Sequence, residues 1–154
     1  MIRAIAAISF VCTAVWSSGL ARADEMDPQV VIEGRQANLR DLGAAFKAIT
    51  DELKKSAPSL AIIRQYAGQV DALAQQQRFW FPRGSGPESE IETDAKPEIW
   101  SRTKEFADAQ LALVTEAARL RDVAGGSDLE AIKSQQRAVG KTCKGCHEAF
   151  REEE

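Results

Sequence analysis

The sequence predicts an all-α protein folded as an antiparallel four-helix bundle. Apolar residues recur in alternating steps of three and four along four separate segments, which is the period of an amphipathic helix. Turn and capping residues delimit these segments, and only a few residues join the first to the second and the third to the fourth. Helices joined by short connections run antiparallel, so the two pairs predict a four-helix bundle.

The first predicted helix begins at Asp27, a suitable N-cap, with Pro28 at the first helical position. It ends near Pro58, and the second predicted helix runs from about Ser59 to Phe79. The apolar stripe of the first helix, which should face the core, comprises Ile32, Leu39, Leu42, Phe46, Ile49 and Leu53.

The only long connection is the 81–97 loop, from Phe81 to Pro97, which is rich in proline, glycine and acidic residues. A third predicted helix starts near Pro97 and ends before Gly125 and Gly126. The fourth opens with Ser127 as N-cap and Glu130 three residues later, a capping box, and continues to about residue 150.

The fourth predicted helix carries a C-x-x-C-H motif, formed by Cys143, Cys146 and His147, which is the attachment signature of a c-type haem. Thiols at i and i+3 lie on one helix face about a turn apart, so both can add to vinyl groups on one side of a porphyrin. The imidazole of His147 can then ligate the iron. Both cysteines continue the apolar stripe of this helix, so we expect one covalent haem c inside the bundle, near its C-terminal helix.

Two other interpretations of the cysteine pair are less favoured. A thioredoxin-like C-x-x-C should lie near a βαβ pattern, and no strand-like alternation surrounds this pair. A structural zinc site needs four ligands, yet His147 is the only histidine and Cys12, the third cysteine, lies in a predicted leader.

Residues 1–23 have the features of a secretory signal peptide. Arg3 gives a positive start, residues 4–16 form an almost uncharged apolar run, and an A-x-A cleavage site ends at Ala23. The run is shorter than the roughly 20 residues that span a bilayer, so we expect cleavage rather than membrane anchoring. The expected mature chain, residues 24–154, is a single exported domain located in the periplasm.

The charge of this expected mature chain argues against a nucleic-acid partner. The leader contains Arg3 and Arg22, so 18 of the 20 basic residues remain against 23 acidic ones, a net charge of −5. Both remaining cysteines are assigned to haem, which leaves no disulfide framework.

One residue interrupts the apolar stripe of the first helix. Arg35 lies three residues after Ile32 and four before Leu39, where a guanidinium facing the core needs a counter-charge. It either extends to solvent at the end of the bundle or pairs with a haem propionate, assisted by Gln36. The second interpretation is favoured because the chain is predicted to hold a buried anionic cofactor.

Four segments spread over residues 24–154 resemble the class II cytochromes c and, within that class, the cytochrome c-prime group. A haem motif near the C-terminus is itself typical of this class. The four segments are Arg35 to Leu39, Phe81 to Gly86, Pro97 to Trp100, and Cys143 to Arg151.

The resemblance bears directly on the sixth coordination position of the iron. A low-spin subgroup of the class supplies a methionine four residues after the arginine, whereas the cytochromes c-prime have an apolar residue there. Leu39 occupies this position, which implies five-coordinate, high-spin iron with His147 proximal and Leu39 distal. Met26, the only methionine of the expected mature chain, lies 13 residues from Leu39, roughly 20 Å along a helix axis, and is therefore too far away to replace the missing ligand.

Arg151 matches the proximal arginine of the group, although its charged tail also predicts a solvated side chain.

These features favour a binding and electron-transfer protein over an enzyme. An open iron site behind an apolar residue suits nitric oxide and carbon monoxide, and a mono-haem cytochrome can exchange electrons with redox partner proteins that the sequence does not identify. A dedicated low-spin electron carrier is the alternative. A peroxidase is less favoured because no distal histidine exists to move a proton. The resemblance also implies a homodimer through the first two helices. Ile62 and Tyr66, apolar residues off the main stripe of the second helix, either serve that interface or widen the core-facing stripe.

Overall fold

The computed structural model describes residues 26–152, and this part of the chain is helical. The predicted leader, residues 1–23, lies outside the described residues. Four long helices form the bundle, so the predicted fold class is confirmed. The helices are α1 (Pro28–Leu53), α2 (Leu60–Gln76), α3 (Glu98–Ser101), α4 (Thr103–Ala124) and α5 (Leu129–Phe150).

The predicted start of α1 and the predicted connection to α2 are both confirmed. Asp27 caps α1 by accepting a hydrogen bond from the Gln29 amide at 2.9 Å. Ser59 caps α2, and its own amide donates to the carboxylate of Glu52 at 2.8 Å. Because Glu52 is buried in the last turn of α1, this bond fixes the tight turn between the two antiparallel helices.

The predicted ends of the second and third helices need correction. The α-helix of α2 stops at Gln76, and a single 3₁₀ turn (Gln77–Phe79) completes the segment. The predicted third helix is broken at Arg102, whose φ of −109° and ψ of 53° are not helical. This break turns the short α3 toward the 81–97 loop, where the indole Nε1 of Trp100 donates to the Pro82 carbonyl at 3.0 Å.

The predicted cap of the last helix is wrong by one residue. Asp128, not Ser127, accepts hydrogen bonds from the amides of Glu130 and Ala131, each at 3.0 Å. A carboxylate both accepts these bonds and carries the negative charge that a helix N-terminus favours. The shift puts Glu130 too close to the cap for a capping box, and its side chain pairs with Lys133 instead.

The apolar core is divided into two clusters. The main cluster fills the interior between α1, α2, α4 and α5, and it includes Ile49, Ile63 and Leu120. A smaller cluster lies at the end of the bundle where the 81–97 loop, α3, α4 and the end of α5 meet. Its buried members are Ala95, Ile99, Phe106 and Phe150. Among residues 26–152 no helix is long and apolar enough to cross a membrane.

The corrected cap gives a stability prediction. Asp128→Ala should lower the free energy of unfolding by about 1 kcal/mol, because two amides at the start of α5 lose their acceptor. Ser127→Ala is the matched control and should leave stability unchanged. Urea unfolding of the holoprotein, followed by far-UV circular dichroism, measures both; a larger loss from the serine variant would restore the original assignment.

Candidate haem-binding site

The haem motif occupies the last two turns of α5. Cys143 is partly buried and packs against the main core cluster, whereas Cys146 packs against the smaller cluster at the end of the bundle. His147 is exposed at the next position. The two thiols therefore face the bundle interior, as the stripe of this helix predicted.

The surroundings of these three side chains favour their neutral forms. Burial raises the pKa of both thiols, that of Cys146 to about 11, with a further contribution from its neighbour Cys143. Burial also lowers the pKa of the His147 imidazole, and the positive charge of Arg151 lowers it further. A neutral imidazole keeps the lone pair that ligates iron, so this donor set fits a c-type haem.

The pairing of α1 with α5 sets the level of the site. Gln136 donates from Nε2 to the hydroxyl of Thr50 at 2.9 Å, and the Phe46 ring lies 3.5 Å from where a Cβ on Gly140 would be. Phe46 lies four residues before Thr50, and Gly140 lies four residues after Gln136. Both contacts therefore belong to one antiparallel register of α1 and α5.

The same register brings the predicted distal and proximal residues to one level. Leu39 lies seven residues before Phe46, and His147 lies seven residues after Gly140. At the rise of an α-helix both are therefore displaced by about 10 Å along the helix axes from the Phe46 contact. Leu39 and His147 therefore lie at a common level of the two antiparallel helices.

Burial along α1 indicates where a cofactor fits. Arg35 and Leu42, on the core-facing stripe, are 2% and 8% exposed, yet Leu39 between them is 37% exposed. Leu39 belongs to the apolar stripe of α1, so its exposure between two buried stripe residues leaves apolar surface uncovered at this level of the helix. Because Cys146 lies within one residue of this level and Cys143 about one turn before it, a planar apolar group attached to both thiols would cover Leu39.

Arg35 is buried, so the alternative in which it extends to solvent is wrong. Its Nη1 donates to the backbone carbonyl and the hydroxyl of Ser85, both at 3.0 Å, and its Nη2 donates to Thr93 Oγ1 at 2.9 Å. The guanidinium carbon lies 4.9 Å from the centre of the Phe81 ring and 6.0 Å from that of Trp100.

The direct partners of Arg35 within residues 26–152 are neutral oxygens. Glu88 acts on it through its charge without bonding to it, and one Glu88 carboxylate oxygen accepts a bond from the Gly86 amide at 3.2 Å. Burial lowers the pKa of Arg35, and the charge of Glu88 opposes that shift. A buried cation with neutral partners favours an additional anion nearby, which a haem propionate would supply.

The other two predicted side chains also contact the 81–97 loop. Gln36 donates from Nε2 to the Glu92 carbonyl at 3.2 Å. Arg151 is exposed, and its Nε and Nη2 donate to one carboxylate oxygen of Asp94 at 3.3 and 3.2 Å. Arg151 is therefore anchored to the loop rather than free in a solvated tail, while its charge still acts on His147.

Sequence reasoning missed the loop residues that hold these side chains. Ser85, Thr93 and Asp94 lie 50 to 58 residues from the arginines they bind. Ser85 lies in the 81–86 segment of the family resemblance and in a Gly-Ser-Gly run that predicts a turn, but neither signal names its partner.

A family model, a relative and two solved structures each match most of this chain. The family model described as Cytochrome C' matches residues 30–151. Cytochrome c' of Pararhodospirillum photometricum is 30% identical over 125 residues, covering 81% of this chain and 98% of that protein. A ferrous variant of cytochrome c prime from Alcaligenes xylosoxidans with bound nitric oxide superposes with a TM-score of 0.75 at 27% identity, covering 83% of this chain and 98% of that one. A cytochrome c' with ligand-controlled dimer dissociation gives 0.77 at 26% identity, with the same coverages.

Covalent attachment of haem through the two thiols can be tested by substitution. Replacing both Cys143 and Cys146 by alanine should yield haem that acid-acetone extracts from the protein, because no thioether bond remains. In the wild-type protein the haem should stay with the polypeptide. Cys12→Ala is the matched control and should behave as wild type, whereas extraction of wild-type haem would contradict covalent attachment.

Proposed function

The chain belongs to the cytochrome c′ family, a family of haem c proteins, and we propose that it is a periplasmic mono-haem cytochrome that binds nitric oxide and carbon monoxide. In this proposal His147 is the proximal ligand, Leu39 faces the distal side, and the iron is five-coordinate. The observation that carries the proposal is the common level of Leu39 and His147 on antiparallel helices, with Leu39 left partly uncovered.

Leu39 determines what the distal side accepts. Its side chain has no donor, acceptor or ligand atom, so it offers neither a bond to iron nor a hydrogen bond to a polar ligand. Met26, whose thioether would suit iron, lies ahead of α1 and is 64% exposed. Small apolar diatomic molecules are therefore favoured over water and larger ligands.

When bound, haem iron supplies a binding position for a diatomic ligand and a centre that exchanges one electron. Cys143 and Cys146 would fix the cofactor to α5. The imidazole of His147, whose neutral form is favoured, would ligate the iron. Arg35, buried and positively charged, provides the counter-charge for the anionic edge of the cofactor.

A solved relative supports the proposed ligand. The cytochrome c prime of Alcaligenes xylosoxidans binds nitric oxide in its ferrous form, and it shares the fold along almost its whole length with this chain. Leu39 gives this chain an apolar distal side suited to the same small ligand. Electron exchange with redox partner proteins completes the proposed role.

We do not assign an enzymatic activity. General acid–base chemistry on an iron-bound ligand needs a proton-transferring group on the distal side. The side chain at that level is Leu39, and the amide of nearby Gln36 already bonds to the loop. The single imidazole of the chain is assigned to the proximal position.

The proposal includes a homodimer through α1 and α2. A relative with the same fold forms a dimer whose dissociation is ligand-controlled. On the outer faces of the first two helices this chain leaves Val30 66% exposed and Ile62 38% exposed. Tyr66 packs partly against the main core, so Ile62 is the stronger interface candidate.

The coordination state can be tested on the purified holoprotein. Ferric protein should show a high-spin, five-coordinate optical and EPR spectrum, and ferrous protein should bind carbon monoxide. Leu39→Ala should speed ligand entry by opening the distal side. Leu39→Met should shift the iron toward a six-coordinate, low-spin state, because the thioether then faces the iron.

Matched substitutions at an exposed apolar residue control for general effects. Leu111 is 63% exposed on α4, away from the site and from the proposed dimer surface; Leu111→Met adds a thioether there, and Leu111→Ala trims the side chain. Both should retain the wild-type spectrum and carbon monoxide kinetics. A low-spin wild-type protein that binds no carbon monoxide after reduction would favour the dedicated electron carrier instead.

The proposed export has its own test. Protein purified from the periplasmic fraction should begin at Asp24, because the A-x-A site ends at Ala23. N-terminal sequencing measures this directly. Ala21→Gln together with Ala23→Gln should block cleavage, and recovery of the wild-type chain with an intact Met1 would contradict the proposed leader.

A further inference from the structure

Thr93 has no place in the haem motif or in any helical stripe, yet its hydroxyl accepts a hydrogen bond from the buried Arg35 at 2.9 Å. We propose that Thr93 is a positioning residue that aims the Arg35 guanidinium at the carboxylates of the haem. This inference rests on the proposed function, in which Arg35 lies beside the cofactor.

The contacts of Arg35 fix both its direction and its plane. Its two terminal nitrogens are held at different points, Nη1 by Ser85 and Nη2 by Thr93, which prevents rotation of the guanidinium in its own plane. The rings of Phe81 and Trp100 lie within 6.0 Å of its carbon and restrict tilting. Loss of Thr93 Oγ1 would free one end of this group.

Thr93 is itself held on both sides. Its hydroxyl also accepts a bond from the Ala95 amide at 3.2 Å, so it is fixed within the loop. The preceding carbonyl, that of Glu92, binds Gln36 on α1. The following residue, Asp94, binds Arg151, and its carbonyl accepts the Glu152 amide at 2.8 Å. Thr93 therefore lies between a contact to the distal helix and a contact to the end of the proximal helix.

A fixed cation next to the haem has a measurable consequence. Ferric haem carries one more positive charge than ferrous haem, so a nearby cation favours the ferrous form and raises the reduction potential. A guanidinium released at one end can turn toward Glu88, whose charge already acts on it. Although Thr93 is uncharged, its removal should then lower the potential through Arg35.

The test is a spectroelectrochemical titration of the holoprotein. Thr93→Val keeps the side-chain shape but removes the acceptor, so it should lower the reduction potential by less than the neutral variant Arg35→Gln does. Thr93→Ser keeps the acceptor and should stay near wild type. Thr115→Val is the matched control, because the Thr115 hydroxyl bonds only to the Leu111 carbonyl of its own helix.

A double-mutant cycle shows whether Thr93 acts through Arg35. In an Arg35→Gln background, Thr93→Val should shift the potential by less than a third of its shift in the wild-type background. Equal shifts in both backgrounds, or no shift from Thr93→Val in wild type, would overturn the inference. If Arg35→Gln yields no folded holoprotein, Arg35→Leu replaces it, since leucine is also neutral and bonds to neither Ser85 nor Thr93.

The cycle also separates this inference from the proposed function. An Arg35→Gln protein with wild-type potential would overturn both the placement of Arg35 beside the haem and the role of Thr93. A shifted Arg35→Gln protein with an additive Thr93→Val effect would overturn the role of Thr93 alone. The number of iron ligands is measured separately from the ferric spectrum of the wild-type protein.

Discussion

The antiparallel register of α1 against α5 is the constraint on which the site depends. These two helices carry the residues proposed as distal and proximal, and they touch directly where Gln136 bonds to Thr50 and where Phe46 lies against Gly140. From those contacts the fixed rise of an α-helix carries both chains to the level of Leu39 and His147. A shift of one residue in this pairing would place a different α1 side chain opposite the haem motif. The contacts of Thr50 and Phe46 with α5 therefore set which residue of α1 lies at the level of the motif.

A buried cation is the second feature that shapes the site. Placing a guanidinium at 2% exposure costs free energy unless its donors are satisfied and its charge is balanced. Ser85 and Thr93 satisfy donors, and two aromatic rings cover the faces, but these partners carry no charge. Glu88 acts on the cation through its charge but makes no bond to it, so the propionates of the proposed cofactor would supply a further counter-charge.

The 81–97 loop connects these two features. Within three consecutive residues, 92–94, it binds α1 through Gln36 and Arg35 and binds the end of α5 through Arg151. The smaller apolar cluster, in which Ile99 and Phe106 pack with Phe150, supports the loop from beneath. The longest irregular segment among the described residues is therefore a structural element of the site rather than a passive connection.

The sequence by itself determined what depends on local spacing. Helical period gave the four long helices, the C-x-x-C-H spacing predicted the haem attachment site, and the stripe of the last helix gave the inward direction of Cys143 and Cys146. The tertiary structure decided what depends on distant contacts: the break at Arg102, the cap at Asp128, and the partners of Arg35 in a loop 50 and 58 residues away. A periodic pattern records which face of a helix is buried, but hydrogen bonds between a helix and a loop depend on where the folded chain returns, and no local spacing records that.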